Sequence, residues 1–138
     1  MLGVPAYWRE LKADAAPDLA WCREQKLDYL PVAFPGFSWH NMKGAPLDKI
    51  PRQQGRFLWA QFAAAKRAGA QMLYVAMFDE VDEGTAIFKC TSDVPPPGES
   101  AFIGYEGLPS DHYLRLTGSG ARMLRGEIPL TDTPPAER

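Results

Sequence analysis

The chain has 138 residues, 46% hydrophobic and 23% charged, which is enough apolar material for one packed domain and too much for a disordered tail. Fifteen Lys and Arg against 17 Asp and Glu leave a formal charge of −2, which argues against a nucleic-acid binder. Two cysteines, Cys22 and Cys90, exclude a disulfide-dense scaffold and an all-cysteine zinc site, while leaving room for one disulfide.

Gly3 to Trp8 is short and apolar and reads as a buried strand, followed by a polar loop from Arg9 to Ala16. Pro17 and Asp18 open a helix that runs to about Lys26, with the proline near the first turn, where its missing N–H costs nothing. Leu19, Ala20 and Trp21 with Leu27 form its apolar side. Asp28 to Phe34 is nearly continuous in apolar character, as expected of a parallel strand covered on both faces. The loop from Pro35 to Gln54 carries Phe37, Trp39, His40 and Asn41, and a loop this long inside a compact domain is usually functional. Gly55 to Ala68 is the clearest helix: Leu58, Phe62 and Ala65 recur at helical spacing, and Gly69 sits where a C-terminal cap belongs. Gln71 to Phe78 predicts a third strand, and Asp79 to Lys89 an acidic loop. Ala101 to Gly104 is a weak strand candidate inside a Pro- and Gly-rich stretch. Ser110 and Asp111 cap a last helix that reaches about Arg125, interrupted by Gly118 and Gly120, and the tail from Thr131 onward is expected to be flexible. Trp21, Phe57, Trp59 and Phe62 on the helices, and Met72 and Met77 on the third strand, are expected in the core.

The alternation of buried strands and helices predicts an α/β fold with a parallel sheet and outer helices, a partial (β/α)8 TIM barrel over residues 3–130. A complete barrel takes about 250 residues, so this chain holds roughly half of one. No apolar run approaches the ~20 residues of a membrane helix, and no export signal is visible near Met1.

The densest chemical signal is Phe78-Asp79-Glu80-Val81-Asp82-Glu83-Gly84-Thr85: four carboxylates within five positions, directly after a hydrophobic strand. Like charges this close repel, and burial would raise the pKa of some member, so crowding them adds nothing to stability. It is either a solvated acidic turn, a cation-binding loop to which Asp79 and Asp82 contribute, or a functional site on the edge where α/β barrels place catalytic groups. Glu80 and Glu83, three residues apart, suit glycoside hydrolysis, in which one carboxyl protonates the leaving oxygen and its partner stays ionised beside the sugar. Gly84 allows a sharp turn after the second carboxylate, and Thr85 is a candidate to orient a glutamate. The oxygen spacing does not match an EF-hand. Two histidines do not make a metal site, and no cofactor is called for.

Phe37, Trp39 and His40 offer a face for sugar stacking, with the alternative that the two rings cover the rim of the sheet. His40 and Asn41 have no apolar reason to follow a strand and join the substrate-binding candidates, as do Asp79 and Asp82. Tyr7 and Trp8 end the first strand at the same rim, where they either line the cleft or pack. Arg9, Arg52 and Arg56 read as solvated or carboxylate-paired, one of them a candidate to hold Glu80 ionised.

Glu80-Val81-Asp82-Glu83-Gly84-Thr85 resembles the Glu-x-x-Glu-Gly-Thr signature of glycoside hydrolases of the family 99 type, the endo-α-mannosidases and endo-α-mannanases. Tyr29 to Asn41, Phe78 to Lys89 and Leu108 to Leu116 are similar to a less studied bacterial branch, the family 71/99-like proteins. The resemblance spans about Gly3 to Leu130 and corresponds to the C-terminal part of the barrel. It implies a retaining glycosidase in which Glu83 is the general acid and then base. Glu80 would act as a base on the substrate's own 2-hydroxyl, giving an anhydrosugar; a nucleophilic role for Glu80 stays open. The mannosidases have Trp-His where this chain has Val81-Asp82, so mannose specificity does not transfer. Most such relatives are exported, which implies an extracellular or periplasmic protein. The implied partners are a carbohydrate substrate, with no nucleic acid or membrane, and a missing N-terminal barrel half or a second copy meeting the open sheet edges. An alternative is an inactive barrel fragment that binds carbohydrate or serves assembly.

Overall fold

The structure is a computed structural model that describes residues 16–91, 93, 98 and 100–136. The predicted first strand, with Tyr7 and Trp8, lies outside them. Residues 16–24 form helix α1. Strand β1 is Val32–Ala33, and a single turn of helix, α2, covers His40–Lys43. A 3-10 turn at Gln53–Gly55 leads into α3, Arg56–Ala68. Strand β2 is Tyr74–Val75 and the last helix, α4, is His112–Arg125.

β1 and β2 pair in parallel, Val32 opposite Tyr74 and Ala33 opposite Val75, so β1, α3 and β2 form one βαβ unit within a mixed α/β fold. The parallel ladder continues past the strand ends, with Tyr74 N–H donating to the Pro31 carbonyl and Ala76 N–H to that of Ala33. Gln61, buried on α3, fixes the helix against the end of β1. Its amide nitrogen donates to the carbonyls of Phe34 (2.8 Å) and Phe57 (3.0 Å), and its oxygen accepts from the Phe34 N–H. A buried side-chain amide tied on both of its ends sets an orientation that apolar packing alone would leave loose.

The spacing read in α3 is the buried face: Leu58, Phe62 and Ala65 are all in the core, together with Phe57 and Trp59. Gly69 caps the helix in the left-handed region, its N–H meeting the carbonyls of Ala65 and Lys66. α4 presents Tyr113, Leu116, Gly120 and Met123 at three- and four-residue steps to α3. Burying each large apolar side chain in this contact contributes about 1.5–3 kcal/mol.

Several expectations are corrected. Both sheet strands are two residues long rather than seven or eight, and only one of their faces is covered. Ala33, Leu73 and Val75 pack toward the core, while Leu30, Val32, Met72 and Tyr74 stand open, Val32 at 54% exposure. Met72 and Met77 are therefore exposed, not core. Trp21 is 56% exposed because α1 inserts only Leu19 into the interior. Residues 101–104 are irregular rather than a strand. Asp111 sits at the N-cap of α4 without a side-chain capping bond; its carboxylate pairs with Arg115 one turn on instead. Neither Gly118 nor Gly120 interrupts α4. Both cysteines are free.

Gly120 is where the helices come closest: a β-carbon there would lie 2.6 Å from the ring of buried Phe62, whereas one at Gly118 meets nothing within 4 Å. Alanine normally stabilises a helix interior by roughly 0.5–1 kcal/mol over glycine. Gly118→Ala is expected to show that gain in urea unfolding. Gly120→Ala is expected to lose about 1–3 kcal/mol to overpacking despite the same propensity term.

Candidate active site

The C-terminal ends of the two parallel strands lead into the two loops that carry the predicted site. β1 runs through Phe34 and Pro35 to a bridge in which Phe37 and Ile50 exchange both backbone hydrogen bonds, closing residues 37–50 into one excursion. β2 runs through the Ala76–Met77 peptide bond, which is cis, into the acidic turn at residues 78–84. The loops are joined directly: the Ser38 N–H donates to the Glu83 carbonyl at 2.7 Å.

Glu80 and Glu83 are both half-buried and share one turn, closed by the Gly84 N–H donating to the Val81 carbonyl. Gly84 is left-handed (φ 67°), and Ile103 packs where its β-carbon would be, at 2.9 Å. Only glycine meets both conditions without strain. Glu80 Oε1 accepts from the Asp82 N–H (3.0 Å), which holds this carboxylate against the turn's own backbone. Thr85 is buried, and both its N–H and its hydroxyl point at the Glu80 carbonyl (3.1 and 3.4 Å). The threonine thus orients Glu80 through the main chain and not through the carboxylate. Asp79 and the neighbouring Phe78 and Val81 are exposed.

Asn41 spends its side chain on bridging. Its Nδ2 donates to Asp82 Oδ1 (2.6 Å) and to the Ala101 carbonyl (3.0 Å), and its Oδ1 accepts from the Ala101 N–H. Asp82 and Asn41 are therefore brought together across 41 residues of sequence. His40 Nδ1 lies 2.8 Å from the Ala45 carbonyl, which only accepts, so the proton sits on Nδ1. In the neutral ring this leaves Nε2 as an acceptor. Phe37 and Trp39 meet edge to face at 5.6 Å, and the Lys43 ammonium lies 3.4 Å from the Trp39 ring centre. Trp39 is partly exposed on the same loop whose Ser38 contacts Glu83.

Arg52, expected to be solvated or paired with a carboxylate, is neither. It is 1% exposed, forms no ion pair with a carboxylate among the described residues, and its Nη2 donates to the carbonyls of Gly84 and Ala86, each at 2.9 Å, while Nε and Nη1 are buried without a partner among those residues. The guanidinium lies against the rings of Tyr105 (4.8 Å) and Tyr113 (4.4 Å). Burial pushes both phenols above their ordinary pKa, with the Arg52 charge opposing it. Glu106 accepts from Tyr113 Oη and from the Gln54 N–H beside this arginine. Gly36 makes room for it, since a β-carbon there would sit 2.7 Å from Arg52 Cγ, but nothing in the sequence ties the two residues together.

Among the described residues no group of three or more His, Cys, Asp or Glu is arranged to hold a metal ion. A groove of about 620 Å³ lined by Trp59, Arg122, Ile128 and Pro134 lies between α4 and residues 128–136 and includes none of the acidic-turn residues.

No family model matches the chain, and no curated protein matches it significantly. Solved structures do. The GH99 endo-α-mannosidase from Bacteroides thetaiotaomicron in complex with bis-tris-propane superposes with a TM-score of 0.70 at 22% identity, over 84% of this chain and 36% of that one. A second structure of a GH99 endo-α-mannosidase from that organism gives 0.70 at 21%, over 83% and 34%. The likeness is one of fold, and this chain spans about a third of the length of the structures it matches.

Asp48, left-handed at φ 59°, buries one carboxylate oxygen without a hydrogen-bond partner in the structure. Its pKa is raised above the usual 3.8, first by burial and then by the Glu106 charge, with Arg52 opposing. The folded chain thus holds this proton more tightly than the unfolded chain. That contribution to stability is complete below the unfolded pKa and is lost as pH rises through the folded one. Asparagine tolerates the same backbone. Asp48→Asn is therefore expected to raise Tm at pH 7 and to leave it nearly unchanged at pH 3. A fall at pH 7 would mean that attraction to Arg52 outweighs burial.

Proposed function

We propose that this chain is part of a (β/α)8-barrel glycoside hydrolase and carries its carboxyl pair, Glu80 and Glu83. The observation that carries the proposal is the position of the acidic turn. It stands at the carboxyl end of β2, tied at Glu83 to the loop after β1, in a chain whose fold matches a glycoside hydrolase over 84% of its length. Catalytic groups of α/β barrels sit on this edge. The buried Thr85, left-handed Gly84 and Asn41 bridge hold the backbone of this four-carboxylate turn in place.

Glu83 acts as the acid that protonates the leaving oxygen and then as the base that activates water. Glu80 stays ionised and acts on the sugar, either through its 2-hydroxyl or as a nucleophile, with retention in both cases. Trp39, one face of which carries the Lys43 ammonium, supplies with Phe37 an aromatic edge beside a sugar ring once that lysine moves aside, and His40 Nε2 and Asp79 supply polar contacts to hydroxyls. The open side of the strands, at Leu30, Val32, Met72 and Tyr74, is the inner face of the barrel. Further β/α units, in the same polypeptide or in a partner, cover it and supply the rest of the cleft. The same bare face supports a second reading, in which the chain on its own is an assembly or carbohydrate-binding module without turnover.

Hydrolysis of a panel of aryl glycosides and α-mannans tests the pair. On any substrate cleaved, Glu80→Gln and Glu83→Gln are each expected to lower kcat/KM by about 10²–10⁴. Wild-type turnover in both variants would remove the two glutamates from the mechanism. Binding of the same sugars without cleavage, by the wild type alone, would select the second reading.

A further inference from the structure

We propose that Arg52 is a positioning residue, which sets the carboxyl pair through the backbone of the acidic turn and touches neither carboxylate. The proposal rests on the assignment of Glu80 and Glu83 made above. Three features of Arg52 belong together. Its side chain is buried to 1% exposure. The two hydrogens of Nη2 go to two carbonyls, Gly84 and Ala86, which flank Thr85. The flat guanidinium lies on two tyrosine rings, Tyr105 and Tyr113, which fix its plane.

From there the constraint passes outward in both directions. The Gly84 carbonyl belongs to the residue after Glu83, whose own carbonyl is held by the Ser38 N–H. Between the two fixed carbonyls, Thr85 directs its N–H and hydroxyl to the carbonyl of Glu80. One guanidinium thus fixes the peptide planes that aim both glutamates. A neutral side chain of equal size would fill the space and leave two buried carbonyls without a donor. Arg52 itself is placed by the Phe37–Ile50 bridge two residues before it, and Gly36 leaves room for its stem.

Amide hydrogen exchange on the whole chain tests this without requiring turnover. In Arg52→Met the amides of Ser38 and Thr85 are expected to exchange at least about tenfold faster, the loss of roughly one hydrogen bond's worth of protection. The amides of α3 should keep their wild-type rates. Arg52→Lys, which restores the charge and a donor nitrogen but not the flat group held between the two tyrosine rings, is expected to fall between the two. Unchanged Ser38 and Thr85 rates in folded Arg52→Met would overturn the proposal. Should that variant lose α3 protection as well, the wild type decides: slowed exchange of the Arg52 Nη2 protons supports the proposal, and exchange at the rate of a free guanidinium overturns it. On any glycoside that the wild type cleaves, Arg52→Lys is expected to lower kcat with KM unchanged, whereas an equal kcat counts against positioning. Faster turn exchange in Arg52→Met together with inert Glu→Gln substitutions would leave Arg52 as argued and remove the glycosidase assignment.

Discussion

A guanidinium withdrawn from water is strongly unfavourable unless its donors and its charge are answered; at Arg52 only Nη2 is answered by hydrogen bonds, Nε and Nη1 being buried without a partner among the described residues, and much of the site's geometry follows from that one nitrogen and the rings beside it. Two main-chain carbonyls of the acidic turn take the Nη2 hydrogens, and two tyrosine rings take the flat faces. The charge also reaches Asp48 and both phenols, lowering the pKa of each against the effect of burial. Elements far apart in sequence, residues 48–54, 84–86 and 105–113, therefore meet around one side chain. Left-handed residues gather beside it, at Asp48, Gln53, Gln54 and Glu106, as expected where the chain must bend sharply to deliver partners to a fixed point.

The second constraint is the uncovered side of the sheet. Two parallel strands of two residues each do not make a stable sheet alone, and here α3 and α4 supply the stabilising contact on one face only. The other face shows Leu30, Val32, Met72 and Tyr74 to solvent, followed by Met77 and Phe78 toward the acidic turn. Cross-strand pairing sets Val32 directly beside Tyr74 on this face. Large apolar patches of this kind mark surfaces that something covers. This chain covers only 36% of the matched structure, and further β/α units of that fold are the covering the barrel proposal requires.

What could be read from the sequence depended on how locally each feature is determined. The α3 face was legible because Leu58, Phe62 and Ala65 repeat at the period of the helix itself, and Gly69 announced its end. The acidic turn was legible because its four carboxylates are adjacent. Strand length was not, since Asp28 to Phe34 is apolar enough for a buried strand but Leu30 and Val32 find no second layer to bury them. Trp21 was misread for a related reason: periodicity shows which residues share a face, and Leu19 alone occupies the contact of α1. Gly120 carried no helix-breaking meaning because its role is set by Phe62, 58 positions earlier. Arg52 was the furthest from view. An isolated arginine in a loop reads as solvated, and its two carbonyl acceptors have no side-chain identity to recognise.

The same comparison bears on what the acidic turn is for. A turn kept only for solubility would need no support, because exposed carboxylates are well hydrated and tolerate many backbone shapes. Here the backbone under Glu80 and Glu83 is fixed at four carbonyls, those of Glu80, Glu83, Gly84 and Ala86, by donors from Thr85, Ser38 and Arg52. Asp82 is fixed at its side chain by Asn41. A cation loop would turn several carboxylates toward one point, and the described residues hold no such group. A paired-carboxylate catalyst has a different requirement: two acids of one turn kept at constant separation while their environments drive their protonation apart. Rigid backbone beneath half-buried glutamates meets the first half of that requirement within this chain. The second half depends on what stands opposite them, and the barrel proposal assigns that contribution to further β/α units over the bare face of the strands.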